Sequence, residues 1–447
     1  MARISRALKR IKQELQELIP ASVLEEICRD LKYPYRKRKL DPLTTLRRFV
    51  QQGLNDNTAI PHRPHLWGLD FDPSADGDAR KRLPLKGVQE LVRRVAEASR
   101  DEINRRGRWR GHRTWLVDGS RGSMPDTKAL QKEFGQPGPQ KKGCGFPIAH
   151  LLGLFDAYSG MLRELLAWPL RTHDLSKVWA LHPLMRTGDV GVGDRGFCSY
   201  AHIATLLGRG MEAVLRIHQR ILVPFRHPPQ RRRKRKLQTG EARWRRVGKL
   251  GSEDPIVQGY QPQDQPESMT QEPYDQLPES ILVREVRFRI PDRGGRTQEI
   301  TRVTTLLDPA KYTPWRRARL FKVRWQAEQD LRHLKTTLKM EVLQCRSSEG
   351  VRKELAAYAL VYNRVCLVRE KAARRQRVQP RRLSFVNVLR WLQWAGPGAD
   401  LPKFTVNPLR PKRHEPRVVK RRPKAYDLMT QPRAQYKKVL LLRTENA

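Results

Sequence analysis

Three acids in this chain are spaced so that they can do chemistry together: Asp118, Asp194 and Glu328. Asp118 follows the apolar run 114–117 and precedes Gly119-Ser120. Asp194 follows Val190-Gly191-Val192-Gly193 and precedes Arg195-Gly196. Each reads as a strand-end acid, and strand ends hold side chains rigidly at the carboxyl edge of a sheet. Glu328 falls instead in an amphipathic helical stretch, 320–339. At about 100° per residue, Phe321, Arg324, Glu328 and Lys335 share one narrow polar stripe. Leu320, Val323, Ala327, Leu331, Leu334 and Leu338 form the apolar stripe beside it. Two acids on strands and one on a helix supply the hard oxygen donors that suit Mg²⁺. Two such ions, ~3.5–4 Å apart, can activate a nucleophile and stabilise the leaving oxygen in phosphoryl transfer. Taken singly, each feature also has a plainer reading. Arg324 and Glu328 can be an ordinary i,i+4 surface pair, and a strand-end Asp can be a turn cap.

The rest of the chain narrows the substrate. Its 447 residues carry 90 Lys and Arg against 46 Asp and Glu, a formal charge of +44. That balance predicts a polyanionic partner, nucleic acid first and an acidic membrane second, and argues against a small neutral substrate. The densest run is Arg231, Arg232, Arg233, Lys234, Arg235 and Lys236, which seeks phosphates or stays a solvated loop. No aromatic-rich RNP pattern supports RNA binding. No window is long and apolar enough to span a bilayer, and the basic N-terminus has no apolar signal core. Five scattered cysteines without C-x-x-C spacing predict neither a zinc ribbon nor a disulfide framework. The eleven histidines, among them His173, His182 and His202, show no metal-ligand spacing. A reducing cytoplasm, at the nucleoid, is the expected setting.

These acids need a sheet and helices to position them, and the hydrophobic pattern provides both. Residues 1–100 read as short helices, a region with basic side chains for DNA. Residues 101–218 read as strand, hairpin strands around Asp156–Gly160, a helix from Asp174, strand, helix and strand, a mixed α/β sheet. Residues 219–310 break this rhythm as a strand-rich insertion. Residues 311–370 return to helix, with one long helix starting at Pro314 and carrying Glu328. Residues 371–447 are basic, with an apolar helix near 384–394 and Lys420-Arg421-Arg422-Pro423-Lys424 as an anchoring tail.

The combined motifs resemble a bacterial insertion-sequence transposase of the DDE superfamily, and more narrowly the insertion sequence four group. Phe321-x-x-Arg324-x-x-x-Glu328-x-x-x-x-x-x-Lys335 is similar to that group's Tyr-Arg-Glu-Lys helix motif, with Phe where Tyr is usual. Leu116-Val-Asp118-Gly-Ser120 and Gly188-Asp-Val-Gly-Val-Gly-Asp194-Arg195 resemble the two aspartate motifs. Glu354-Leu355 and Tyr362-Asn363 resemble the segment after the catalytic helix. The resemblance implies an RNase H-like fold: a mixed sheet with flanking helices, a strand-rich insertion before the glutamate helix and a helical N-terminal region. It implies Asp118, Asp194 and Glu328 as ligands for two Mg²⁺, with Mn²⁺ as a substitute. Arg324, Lys335, Phe321, Arg195, Arg332 and the 231–236 run are the implied DNA contacts. The implied reaction is cut-and-paste transposition: strand cleavage, a hairpin step, then 3′-hydroxyl transfer at terminal inverted repeats. The working form it implies is a homodimer on double-stranded DNA, away from membranes. The insertion's aromatics Trp244, Tyr260 and Tyr274 are the candidates for stacking a DNA base. An endonuclease without strand transfer and an inactive DNA-binding relative are the alternatives.

Overall fold

The computed structural model describes residues 21–36, 38–58, 72–138, 140–172, 174–217, 243–251, 254–267, 269–289, 299–394 and 399–409, with a few positions beyond 430. The basic run 231–236, the tail 420–424 and His173 lie outside the described residues.

Among the described residues, helices come first: α1 (Ala21–Asp30), α2 (Pro42–Leu54), α3 (Pro73–Arg82) and α4 (Leu85–Glu97). Asp41 and Asp72 cap α2 and α3 by accepting backbone N–H bonds, each ahead of a proline in the first turn. The core then follows as β1 (Thr114–Ser123), α5 (Lys128–Glu133), β2 (Ile148–Asp156), β3 (Leu162–Pro169), β4 (Val190–Gly193), α6 (Tyr200–Gly208) and β5 (Glu212–Arg216). Next come β6 (Arg243–Gly251), β7 (Asp254–Tyr260), α7 (Gln271–Asp275), β8 (Ser280–Arg289) and β9 (Glu299–Thr304). Then follow α8 (Pro314–Lys322), α9 (Trp325–Arg332), α10 (Ser348–Arg375) and α11 (Phe385–Trp394).

The strands form one mixed sheet in the order β3-β2-β1-β4-β5-β9-β8-β7-β6. β1, β4 and β5 are parallel and every other neighbour is antiparallel. A mixed sheet with helices on both faces is consistent with an RNase H-like architecture. The strands expected of the insertion do not stand apart, because β9 pairs with β5 and continues the same sheet.

Alternation along the strands divides the interior in two. Leu116, Val190, Val192 and Val214 point to a front face, where they share a core with α4, α9 and α10. Trp115, Val117, Ala213, Leu215 and Val303 point to a back face covered by α6 and the 3₁₀ turns at Val178–Leu184. The helix expected from Asp174 is therefore only 3₁₀ turns, one of which carries Pro183, which has no backbone N–H to continue a helix. On the front, α10 is buried nearly all round. Its Asn363 clamps the edge strand β3, accepting from Leu162 N and donating to Leu162 O, both at 2.8 Å. Glu354 on the same helix accepts from Gln344 N and Cys345 N at 2.9–3.0 Å, which fixes the loop after the glutamate helix. The two positions singled out in that segment thus hold backbone.

Candidate active site

Asp118 does not end its strand. β1 runs on to Ser123, paired with β2 throughout; what stops is its pairing with β4, whose last rung is Leu116–Val192. The sheet opens there, and a crevice at the carboxyl ends of parallel strands is a favoured ligand position. Two residues beyond that last rung on each strand stand Asp118 and Asp194, close enough that the Asp194 charge acts on the Asp118 carboxyl. Both acids lie two residues beyond front-face side chains, so both point to the front. Helix α9 packs over β1 on that face through Ala327 and Leu331, 0% and 4% exposed.

The helix carrying Glu328 is broken, contrary to the single long helix expected from Pro314. α8 ends at Lys322 and α9 begins at Trp325. Across the junction Val323, Arg324, Gln326 and Ala327 donate three residues back, a tighter turn than the α-helix. A π turn, His333–Thr337, then follows α9. The apolar stripe survives the break: Leu320, Ala327, Leu331, Leu334 and Leu338 are all buried, and Val323 packs against the same core. The polar stripe does not survive as one surface. Phe321 is buried beneath the Arg302 guanidinium, 4.2 Å from the ring centroid, so it lies off any phosphate-facing surface. Glu328 is exposed and Arg332 with it, Arg324 is buried, and Lys335 sits half-buried in the π turn. Arg195 is exposed in the turn directly after Asp194.

The electrostatics tie these groups together. Burial pushes the Asp118 carboxyl up from 3.8 to about 6; Arg324 and the Gly119 N–H oppose this, while Glu328 and Asp194 add to it. Arg324 Nη2 donates to Glu328 Oε1 at 2.8 Å. The Asp194 Oδ1 is buried without a hydrogen-bond partner among the described residues, and Asp118 accepts from Gly119 N at 3.0 Å. Among the described residues, no three His, Cys, Asp or Glu side chains are gathered closely enough to hold an ion as they stand. The donor chemistry nonetheless fits a hard divalent cation: Asp118 is a buried carboxyl whose proton affinity the neighbouring Glu328 and Asp194 help to raise, and Asp194 has a buried oxygen with no hydrogen-bond partner among the described residues.

Two basic residues on this face escaped the motif reading. Val192 pairs with Val214, and Arg216 pairs with Arg302. Asp118, Asp194, Arg216 and Arg302 therefore make one front-face row across four neighbouring strands. Neither arginine has a local signature; each becomes visible only once the strand register is known. Trp325 is the exposed aromatic on the Glu328 stripe, 54% accessible. Of the expected base-stacking aromatics, Tyr274 is buried and hydrogen-bonded to Pro262 O. Trp244 packs on the back-face core, against Tyr200. His182 and His202 stack at 5.1 Å on the back face, and burial lowers them to about 2 and about 4, so both are neutral imidazoles.

A mixed sheet with flanking helices that brings Asp118, Asp194 and Glu328 to one face is consistent with an RNase H-like architecture. Residues 109–364, more than half of the chain, match the family model described as the transposase DDE domain, and the chain belongs to that family. A piggyBac transposase synaptic complex with hairpin DNA, solved by cryo-EM, aligns at a TM-score of 0.43 and 8% identity, covering 86% of this chain and 79% of that one. No curated protein matches the sequence. Among the described residues, no helix is long and apolar enough to cross a membrane.

Proposed function

We propose that this protein is an insertion-sequence transposase of the insertion sequence four group, cutting and joining DNA at terminal inverted repeats. What supports the reading is that Asp118 and Asp194 stand two residues beyond the last β1–β4 rung and that the Asp194 and Glu328 charges both act on the Asp118 carboxyl. Asp118, Asp194 and Glu328 would hold Mg²⁺, or Mn²⁺ in its place. The metal, when bound, supplies Lewis-acid charge to a nucleophile and a leaving oxygen at phosphorus. Arg324, buried behind the carboxylates, offers a fork of donors to a phosphate. Arg195 and Arg332 flank the acids on the exposed side, and Lys335 adds a point charge. Arg231–Lys236 and the +44 charge hold the DNA backbone without reading its sequence. The same site repeats an in-line displacement for cleavage, hairpin formation and strand transfer. A homodimer on DNA is proposed, because the two repeats of one element must be cut together; the nucleoid is the setting.

The test is a cleavage assay on DNA carrying the inverted repeats that flank the gene, with Mg²⁺ and a target plasmid. Cleaved ends that then appear joined to the target are the expected result. Cutting without joining would reduce the protein to an endonuclease, and binding without cutting to an inactive relative.

A further inference from the structure

Arg302 belongs to β9, far in sequence from Asp118 and Asp194, yet it pairs with Arg216 of β5 and faces the same side of the sheet. It is 7% exposed and covers the ring of Phe321 at 4.2 Å. Its Nη1 also donates to Arg317 O at 3.5 Å, which ties it to α8. Arg324 approaches the same ring, its guanidinium carbon 5.8 Å from the centroid, and hydrogen-bonds Glu328 at 2.8 Å. A continuous series of contacts thus runs from the sheet extension to the glutamate: Arg302, Phe321, Arg324, Glu328. Phe321 stands in the last turn of α8, and its carbonyl accepts from Arg324 N at 3.0 Å, so the buried ring anchors the end of α8 from which α9 continues.

Building on the function proposed above, we infer that Arg302 is a positioning residue for Glu328. It acts through the buried Phe321 ring and Arg324, and so joins the outer four strands of the sheet to the active site. A direct phosphate contact is the rival role; the guanidinium is already laid over the Phe321 ring and donates to Arg317 O, which argues against it. The inference also explains why Phe serves at position 321: the ring's face is used, and a hydroxyl at its tip is not required by either arginine. The attraction between a guanidinium and an aromatic face is strongest where water is excluded.

The experiment measures Mn²⁺ binding to the DNA-free full-length protein by electron paramagnetic resonance, with DNA binding by gel shift and folding by circular dichroism alongside. Arg302→Met is expected to weaken Mn²⁺ binding roughly three- to thirtyfold, the size of a desolvated cation–π contact, with end-DNA affinity unchanged. The sign is diagnostic. Removing a buried positive charge would, through its field alone, tighten cation binding; a loss reports geometry. Arg302→Lys keeps a cation over the ring and should recover most of the affinity. Phe321→Leu should weaken Mn²⁺ binding like Arg302→Met, and the double variant should lose little more than either single one, since the two act in series. If Arg302→Met does not fold, Arg302→Gln carries the same readouts. Unchanged or tighter Mn²⁺ binding in the variant, or fully additive losses, would overturn the inference. Weaker DNA binding with normal Mn²⁺ affinity would overturn it in favour of a phosphate contact. A wild-type protein that binds no Mn²⁺ would instead count against the proposed function.

Discussion

Asp118 and Glu285 are both carboxyl groups of the one sheet, held above their usual range by burial, and they sit on opposite faces. Asp118 rises to about 6 with Arg324, Glu328 and Asp194 all acting on it. Glu285 rises to about 8 by burial, opposed by Arg287. It shares the back face with Val283 and Val303, is 0% exposed, and neither of its oxygens has a hydrogen-bond partner among the described residues. A perturbed carboxyl group is therefore not by itself a sign of chemistry. The front face differs because several charged side chains from separate elements converge at a place where the sheet opens. The back face only withdraws an acid from water. Convergence at an accessible edge is what makes Asp118 rather than Glu285 the candidate for chemistry.

The largest test of this contrast is catalytic. Asp118→Asn should lower DNA cleavage more than about a hundredfold, since even outer-shell partners of metal ligands are worth 10–100-fold. Glu285→Gln should leave the cleavage rate near that of the wild type. Equal losses from the two would erase the distinction between the faces.

Stability against pH should reverse the order. A folded carboxyl held at about 8 favours the protonated form, so its contribution is complete below the unfolded value near 4.5 and is lost as pH rises towards 8. Between those limits Glu285 should cost about 1.4 kcal/mol per pH unit. Urea titrations of wild type and Glu285→Gln from pH 5 to pH 9 should show this slope flattened in the variant; parallel curves would mean Glu285 finds a partner in solution.

The front face should show its own pH response in metal affinity. Below about 6 the Asp118 carboxyl takes up a proton and competes with the cation. Mn²⁺ affinity should then fall up to about tenfold per pH unit, as one proton is exchanged for the ion. A flat affinity from pH 7 to pH 5 would remove Asp118 from the ligand set.

The smallest effect concerns the Arg324–Glu328 pair. The Glu328 side chain is 43% exposed, so the pair adds little to folding. Glu328→Gln should change unfolding free energy by no more than ~0.5 kcal/mol while cleavage collapses. A large loss of stability would make Glu328 a structural partner of Arg324.

What local pattern could determine here was the class. Strand alternation at 114–117 and 190–193, the turn residues after them and the apolar stripe through Leu320, Leu331 and Leu338 are short-range periodicities, and they carry the motif spacing of a DDE-type protein. Tertiary structure decided the rest. The opening of the sheet beside Asp118 depends on where β4 stops pairing, and the place of Arg216 and Arg302 depends on β5 meeting β9 across an intervening stretch of more than eighty residues. The burial of Phe321 likewise depends on Arg302, which lies over its ring and is a partner that no helical wheel contains. Side-chain period is a property of neighbours in the chain, whereas register and burial are set by contacts between distant segments.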